Sequence, residues 1–95
     1  MADSKIIRFK RITNTLQFKT KTPIQYIKRQ DYYEFNYAAG SLLIIAYGKT
    51  VQEAKKDFLN ELSRLWDYYA KDENDNLTPN AQNVKQWLKA NIIEE

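Results

Sequence analysis

A chain of 95 residues with 43% hydrophobic and 28% charged side chains has the size and composition of one folded domain, residues 1–95, and is too apolar and aromatic for disorder. It contains no cysteine and no histidine, which excludes disulfides, thiolate nucleophiles, imidazole acid–base catalysis and the usual zinc sites. The net charge of +3 hides a skew, with eight Lys/Arg against one Asp over residues 1–30, four against six over 31–70 and three against five over 71–95; this suits either an anionic partner or a lysine-guarded edge strand.

The opening MADSKIIRFKR lacks the apolar segment of a signal peptide, so a cytoplasmic protein is expected. From Lys5 to Ile12, Ile7 and Phe9 alternate with Arg8 and Lys10; from Leu16 to Lys21, Leu16 and Phe18 alternate with Gln17, Lys19 and Lys21. Both segments read as half-buried strands. A turn at TN or ITNT sets Phe9 opposite Phe18, Ile7 opposite Thr20 and Arg8 opposite Lys19, which makes one face apolar and the other basic. Pro23 interrupts the alternation, and residues 24–28 read either as a short further strand or as an extended connector.

DYYEFNY and LLIIAY flank AAGS, whose Gly40 suits a turn, and together they read as a second antiparallel hairpin. Pairing Tyr37 with Leu42 puts Tyr33, Phe35 and Tyr37 on the face of Leu42, Ile44 and Ala46. Leu43, Ile45 and Tyr47 fall on the other face, and a strand apolar on both sides calls for cover on both. The run LLIIAY is far shorter than the ~20 residues needed to span a bilayer, so no membrane partner is expected.

Gly48 ends that strand, and Thr50 with Glu53 forms a capping box that starts a helix over residues 50–71. Its apolar stripe is Val51, Ala54, Phe58, Leu62, Leu65 and Tyr69, widened by Leu59 and Trp66, with Lys56, Asn60, Arg64 and Asp67 opposite. KDENDN closes it. Thr78 and Pro79 then supply an N-cap and a first-position proline for a second helix with the stripe Ala81, Val84, Leu88 and Ile92, and Trp87 beside it. The expected fold is α+β: an antiparallel sheet of four or five strands, built from two hairpins, packed against a long amphipathic helix and followed by a second C-terminal helix.

Three motifs suggest chemistry and none supports it. Gly48-Lys49-Thr50 has the order that closes a phosphate-binding loop, but position 43, where that loop needs its first glycine, is leucine within a strand. Asp72, Asn74 and Asn76 alternate as at the start of a calcium loop, yet Leu77 stands where a glycine belongs and Asn83 where a bidentate glutamate belongs. Glu34 is the single acid on a well-defined strand, with no second carboxylate paired beside it. No catalytic residue, cofactor or metal is therefore assigned.

The stretch YYEFNYAAGSLLIIAYGKTVQEAKKDF, through Gly48, Thr50, Glu53 and Ala54, resembles HicB-like antitoxin domains over residues 31–70. The resemblance implies a catalytically inactive RNase H-like α+β unit that binds and blocks a small ribonuclease toxin, often alongside a separate DNA-binding segment. The expected function is a non-enzymatic protein-interaction module, an antitoxin-like or inhibitor-like small bacterial or phage protein. Its candidate partner-binding residues are Leu43, Ile45, Tyr47 and Tyr32, for a protein partner or a second copy of the chain. The alternative is a nucleic-acid-binding accessory protein that contacts phosphates through Arg8, Lys10, Lys19, Lys21, Lys28 and Arg29.

Overall fold

The computed structural model describes residues 4–71 and 78–95. Its elements are β1 (Ser4–Arg11), β2 (Leu16–Lys28), β3 (Tyr33–Ala39), β4 (Leu42–Gly48), α1 (Val51–Leu65), a π-helical turn (Trp66–Ala70), α2 (Pro79–Asn91) and β5 (Ile92–Glu94). The fold is the expected α+β arrangement, with an antiparallel sheet in the order β1-β2-β3-β4 and β5 added against β2. The calcium-like run Asp72, Asn74 and Asn76 lies outside the described residues.

The first hairpin forms, but four residues out of the expected register. Phe9 pairs with Thr22, Ile7 with Ile24 and Arg8 with Pro23, whereas Arg11 pairs with Gln17. Two steps along β1 thus span five along β2, and the surplus residues between Phe18 and Lys21 bulge opposite Lys10, whose Nζ donates to the Lys19 carbonyl at 2.7 Å. Phe9 and Phe18 are both buried without being partners. The turn is held by Thr13, whose hydroxyl accepts from the Thr15 and Leu16 backbone N–H groups.

Residues 24–28 are a strand continuous with the segment before Pro23, so the connector reading falls. Proline is tolerated there for a reason the ladder supplies. The Tyr47 N–H donates to Asp57 on α1 and so points away from β3; alternation then turns Glu34 toward β2 and the odd residues of β2 toward β3. Pro23 faces the β3 side, where pairing begins only at Gln25, and no ladder bond is lost.

The second hairpin is two residues out of the expected register: Tyr37 pairs with Ile44, and Leu42 with Ala39. The loop shrinks to Gly40-Ser41, with φ 59° at Gly40, as a tight hairpin with a positive dihedral at its first loop position requires. Away from the bulge both slips are even numbers, so those side chains keep their expected faces; at the turn end Arg11 pairs with Gln17, one residue out, and Ile12 turns into the core. Phe35, Leu42, Ile44 and Ala46 are buried with Phe9 and Ile24, and the rings of Phe9, Phe35 and Phe58 meet at centroid distances of 5.7–5.9 Å in the centre of the core.

α1 begins as expected: the Thr50 hydroxyl accepts from the Glu53 N–H at 3.1 Å, and the Glu53 carboxylate accepts from the Lys49 N–H at 3.1 Å. Its buried residues are Ala54, Phe58 and Leu62, continued by Trp66 and Ala70 in the π turn, each four apart. A strict four-residue stripe drifts by about 40° per step around an α-helix, and one wider π turn brings Trp66 and Ala70 back toward the sheet. Leu65 and Tyr69, expected in the stripe, are consequently half-buried.

α2 starts at Thr78, whose hydroxyl accepts from the Ala81 N–H, and it buries Val84 and Leu88 while Trp87 packs against Tyr37. Ile92 is buried as expected, yet it belongs to β5 rather than to the helix: Ile92, Ile93 and Glu94 pair with Phe18, Gln17 and Leu16. Gln17 pairs with β1 on one side and β5 on the other, so β5 occupies the place beside β2 that β3 leaves beyond Asn36. Among the described residues, no helix is long and apolar enough to cross a membrane.

Candidate protein-interaction surface

α1 and α2 cover the same side of the sheet. On β4 the result is a sharp alternation: Leu42, Ile44 and Ala46 are at most 3% exposed, whereas Leu43, Ile45 and Tyr47 are 64%, 45% and 52% exposed. The row expected to be apolar on the second face is thus present and uncovered among the described residues. Tyr32, from the loop before β3, sets its ring edge-on to Tyr47 at 5.4 Å, so the four candidate residues form one surface.

The registers extend that surface across the sheet. Ile6, Gln25, Asn36 and Ile45 are successive cross-strand neighbours, as are Ile27, Glu34 and Tyr47. Between the apolar ends runs a short polar strip in which the Asn36 side-chain amide donates to Glu34 at 3.1 Å and Arg29 pairs with Glu34 at 3.5 Å. Ile6, 65% exposed, was not among the expected residues. Its signal was its two-residue spacing from Arg8 and Lys10, which marks the face opposite Ile7 and Phe9.

Of the six cations of the nucleic-acid reading, Lys28 and Arg29 are set apart from the basic hairpin. Arg8 shares the parity of Ile6 on the open face, and Lys10 reaches back to the bulge that carries Lys19 and Lys21. Arg29 is paired with Glu34. Lys28 lies on the helix-covered side, lining with Lys5, Tyr26, Tyr33 and Val51 a cavity of about 360 Å³.

The glycine–lysine–threonine run is taken up by the start of α1. Gly48 lies against the first turn of α1, Thr50 is its cap, and the Lys49 N–H that a phosphate would need is bonded to Glu53. Glu34 is engaged with Arg29 and Asn36, and among the described residues no group of three or more acids gathers as a metal site would need.

Among the described residues, two groups are shifted from their ordinary values. Burial pushes the Tyr37 phenol up, and hydrogen bonds to Glu94 and Asp67 raise Lys71, tying the end of the long helix to β5. No protein-family model, curated protein or solved structure matches the chain.

Proposed function

We propose that the chain is a non-enzymatic interaction module that docks a partner protein on the open face of its sheet, an antitoxin-like or inhibitor-like small bacterial or phage protein acting in the cytoplasm. The observation that carries this reading is the exposed row Leu43, Ile45 and Tyr47 with Tyr32, on a strand whose other row is fully buried. Water is a poor neighbour for such a row: about 25 cal/mol is gained per Å² of apolar surface covered. The likeness of residues 31–70 to HicB-like antitoxins supports the choice of partner, a small ribonuclease.

The test is co-purification with the product of the adjoining reading frame, followed by titration of that product's ribonuclease activity. A stoichiometric complex that silences the activity is expected, and Ile45→Lys weakens it by more than about tenfold, since it puts a charge in a desolvated contact. No complex with the wild-type chain, or a complex indifferent to Ile45→Lys, overturns the reading.

A further inference from the structure

We propose that β4 pairs edge to edge, antiparallel, with β4 of a second copy of the chain, joining the two sheets about a two-fold axis. Apart from the three-residue β5, which ends in Glu94, the sheet has two outer strands, and they are built differently. β1 carries Lys5, Arg8, Lys10 and Arg11 and faces a bulge, the devices that keep an edge from recruiting another strand. β4, Leu42–Gly48, has no charged residue and no proline, and its register with β3 is unbroken from Gly48 to Leu42. Pairing two copies through β1 would set like charges across the axis; pairing through β4 sets none.

The backbone of β4 offers the bonds. Because the Tyr47 N–H points outward to Asp57 Oδ2, at 3.2 Å, alternation points the N–H and C=O groups of Leu43 and Ile45 outward as well. Among the described residues, nothing bonds to these outward groups. Asp57 closes the edge at Tyr47, which confines pairing to Leu42–Ala46 and selects a register: Leu43 of one protomer opposite Ile45 of the other, and the reverse.

That register satisfies all the free outward N–H groups of both copies and leaves Asp57 in place. On the helix-covered side it brings Ile44 to Ile44 at the axis and Leu42 to Ala46. On the open side it brings Leu43 to Ile45. The short strand is therefore its own complement under the two-fold operation, as an isologous contact requires. A foreign strand would need to supply that apolar alternation independently. The proposal deepens the interaction reading, resting on it for the role of β4, and joins the two open faces around one axis.

Sedimentation equilibrium from low micromolar to millimolar concentration tests it with two proline variants. Leu43→Pro removes an outward N–H and leaves the β3 ladder whole; Ile6→Pro does the same on the outer edge of β1. The wild type and Ile6→Pro should reach twice the monomer mass, and Leu43→Pro should dimerise at least about tenfold more weakly, having lost two backbone bonds per dimer. A wild type that stays monomeric, or a Leu43→Pro variant that dimerises as the wild type does, overturns the proposal.

If Leu43→Pro fails to fold, the double variant Leu43→Cys with Ile45→Cys decides, since the chain has no other cysteine. A short bifunctional thiol reagent should join two chains across the axis, the hydrogen-bonded pair holding the two Cβ atoms about 5.5 Å apart, wider than a disulfide spans; a non-covalent dimer that is not joined overturns the pairing. The two readings fail separately. A monomer that binds the neighbouring product loses only the dimer, and a dimer that binds no such product loses only the partner.

Discussion

Gly48 and Gly40 are the two glycines of the chain, and they do opposite work. A Cβ on Gly48 would lie 2.2 Å from the Ala54 backbone nitrogen, because the strand end and the first turn of α1 touch there. Gly48→Ala should cost about 3 kcal/mol or more, since backbone cannot swing aside. Gly40 has open space around it but φ 59°, so Gly40→Ala should cost about 1–2 kcal/mol. Thr50→Ala should cost about 1 kcal/mol through the lost cap, while Lys49→Ala is nearly neutral and creates or removes no nucleotide affinity. Urea midpoints order the four variants, and tight ATP or GTP binding abolished by Lys49→Ala would restore the phosphate-loop reading. Tyr37 and Lys71 both have raised pKa values. Their contributions are whole at neutral pH; that of Tyr37 declines above about pH 10, where the unfolded phenol ionises and the buried one resists, and that of Lys71 goes as pH rises through its raised value. Urea midpoints should therefore fall in alkali, and Tyr37→Phe should flatten part of the fall.

At the scale of elements, β5 and the π turn are responses to packing. Ile92 is 2% exposed and closes the sheet beside Phe18, so Ile92→Ala should cost about 2–5 kcal/mol, as a buried large-to-small change does. A smaller loss would mean that β5 detaches without consequence for the core. Pro23 offers the contrasting case. It sits in the middle of a 13-residue strand with its nitrogen facing a side that no strand occupies. Pro23→Ala should leave the sheet intact and lower stability by less than about 1 kcal/mol, through a more flexible unfolded chain; a gain in stability would show that a bond had been missing there.

At the scale of the whole molecule, both helices shield one face of the sheet and leave the other to its surroundings. That face is graded, with Arg8 and Lys10 on the β1 side and Leu43, Ile45 and Tyr47 on the β4 side. A nucleic acid and a protein would choose opposite ends of it. With Arg29 paired and Lys28 on the covered side, binding to single- or double-stranded DNA or RNA should be negligible near ~150 mM salt and should not change on replacing Arg8 and Lys19 by Glu. Sub-micromolar binding that falls steeply with salt and is lost in that variant would install the nucleic-acid reading in place of the protein one.

Alternation has a period of two and lies in the chain itself, so strand faces, the open row on β4, the capping box and the second N-cap were legible without coordinates. Those features survive any even slip in register. The registers were not legible, because a slip of two or four residues leaves each side chain on its own face, and the bulge opposite Lys10 and the packing of Phe9, Phe35 and Phe58 involve residues distant in the chain. Likewise, Ile92 reads equally well as the last turn of a helix or the start of a strand. Its place is set by the vacancy beside Leu16–Phe18, a site 74 residues or more away in sequence. Local patterns decide which way a side chain points; which strand ends at an edge, and what that edge leaves unpaired, is decided by neighbours distant in the chain.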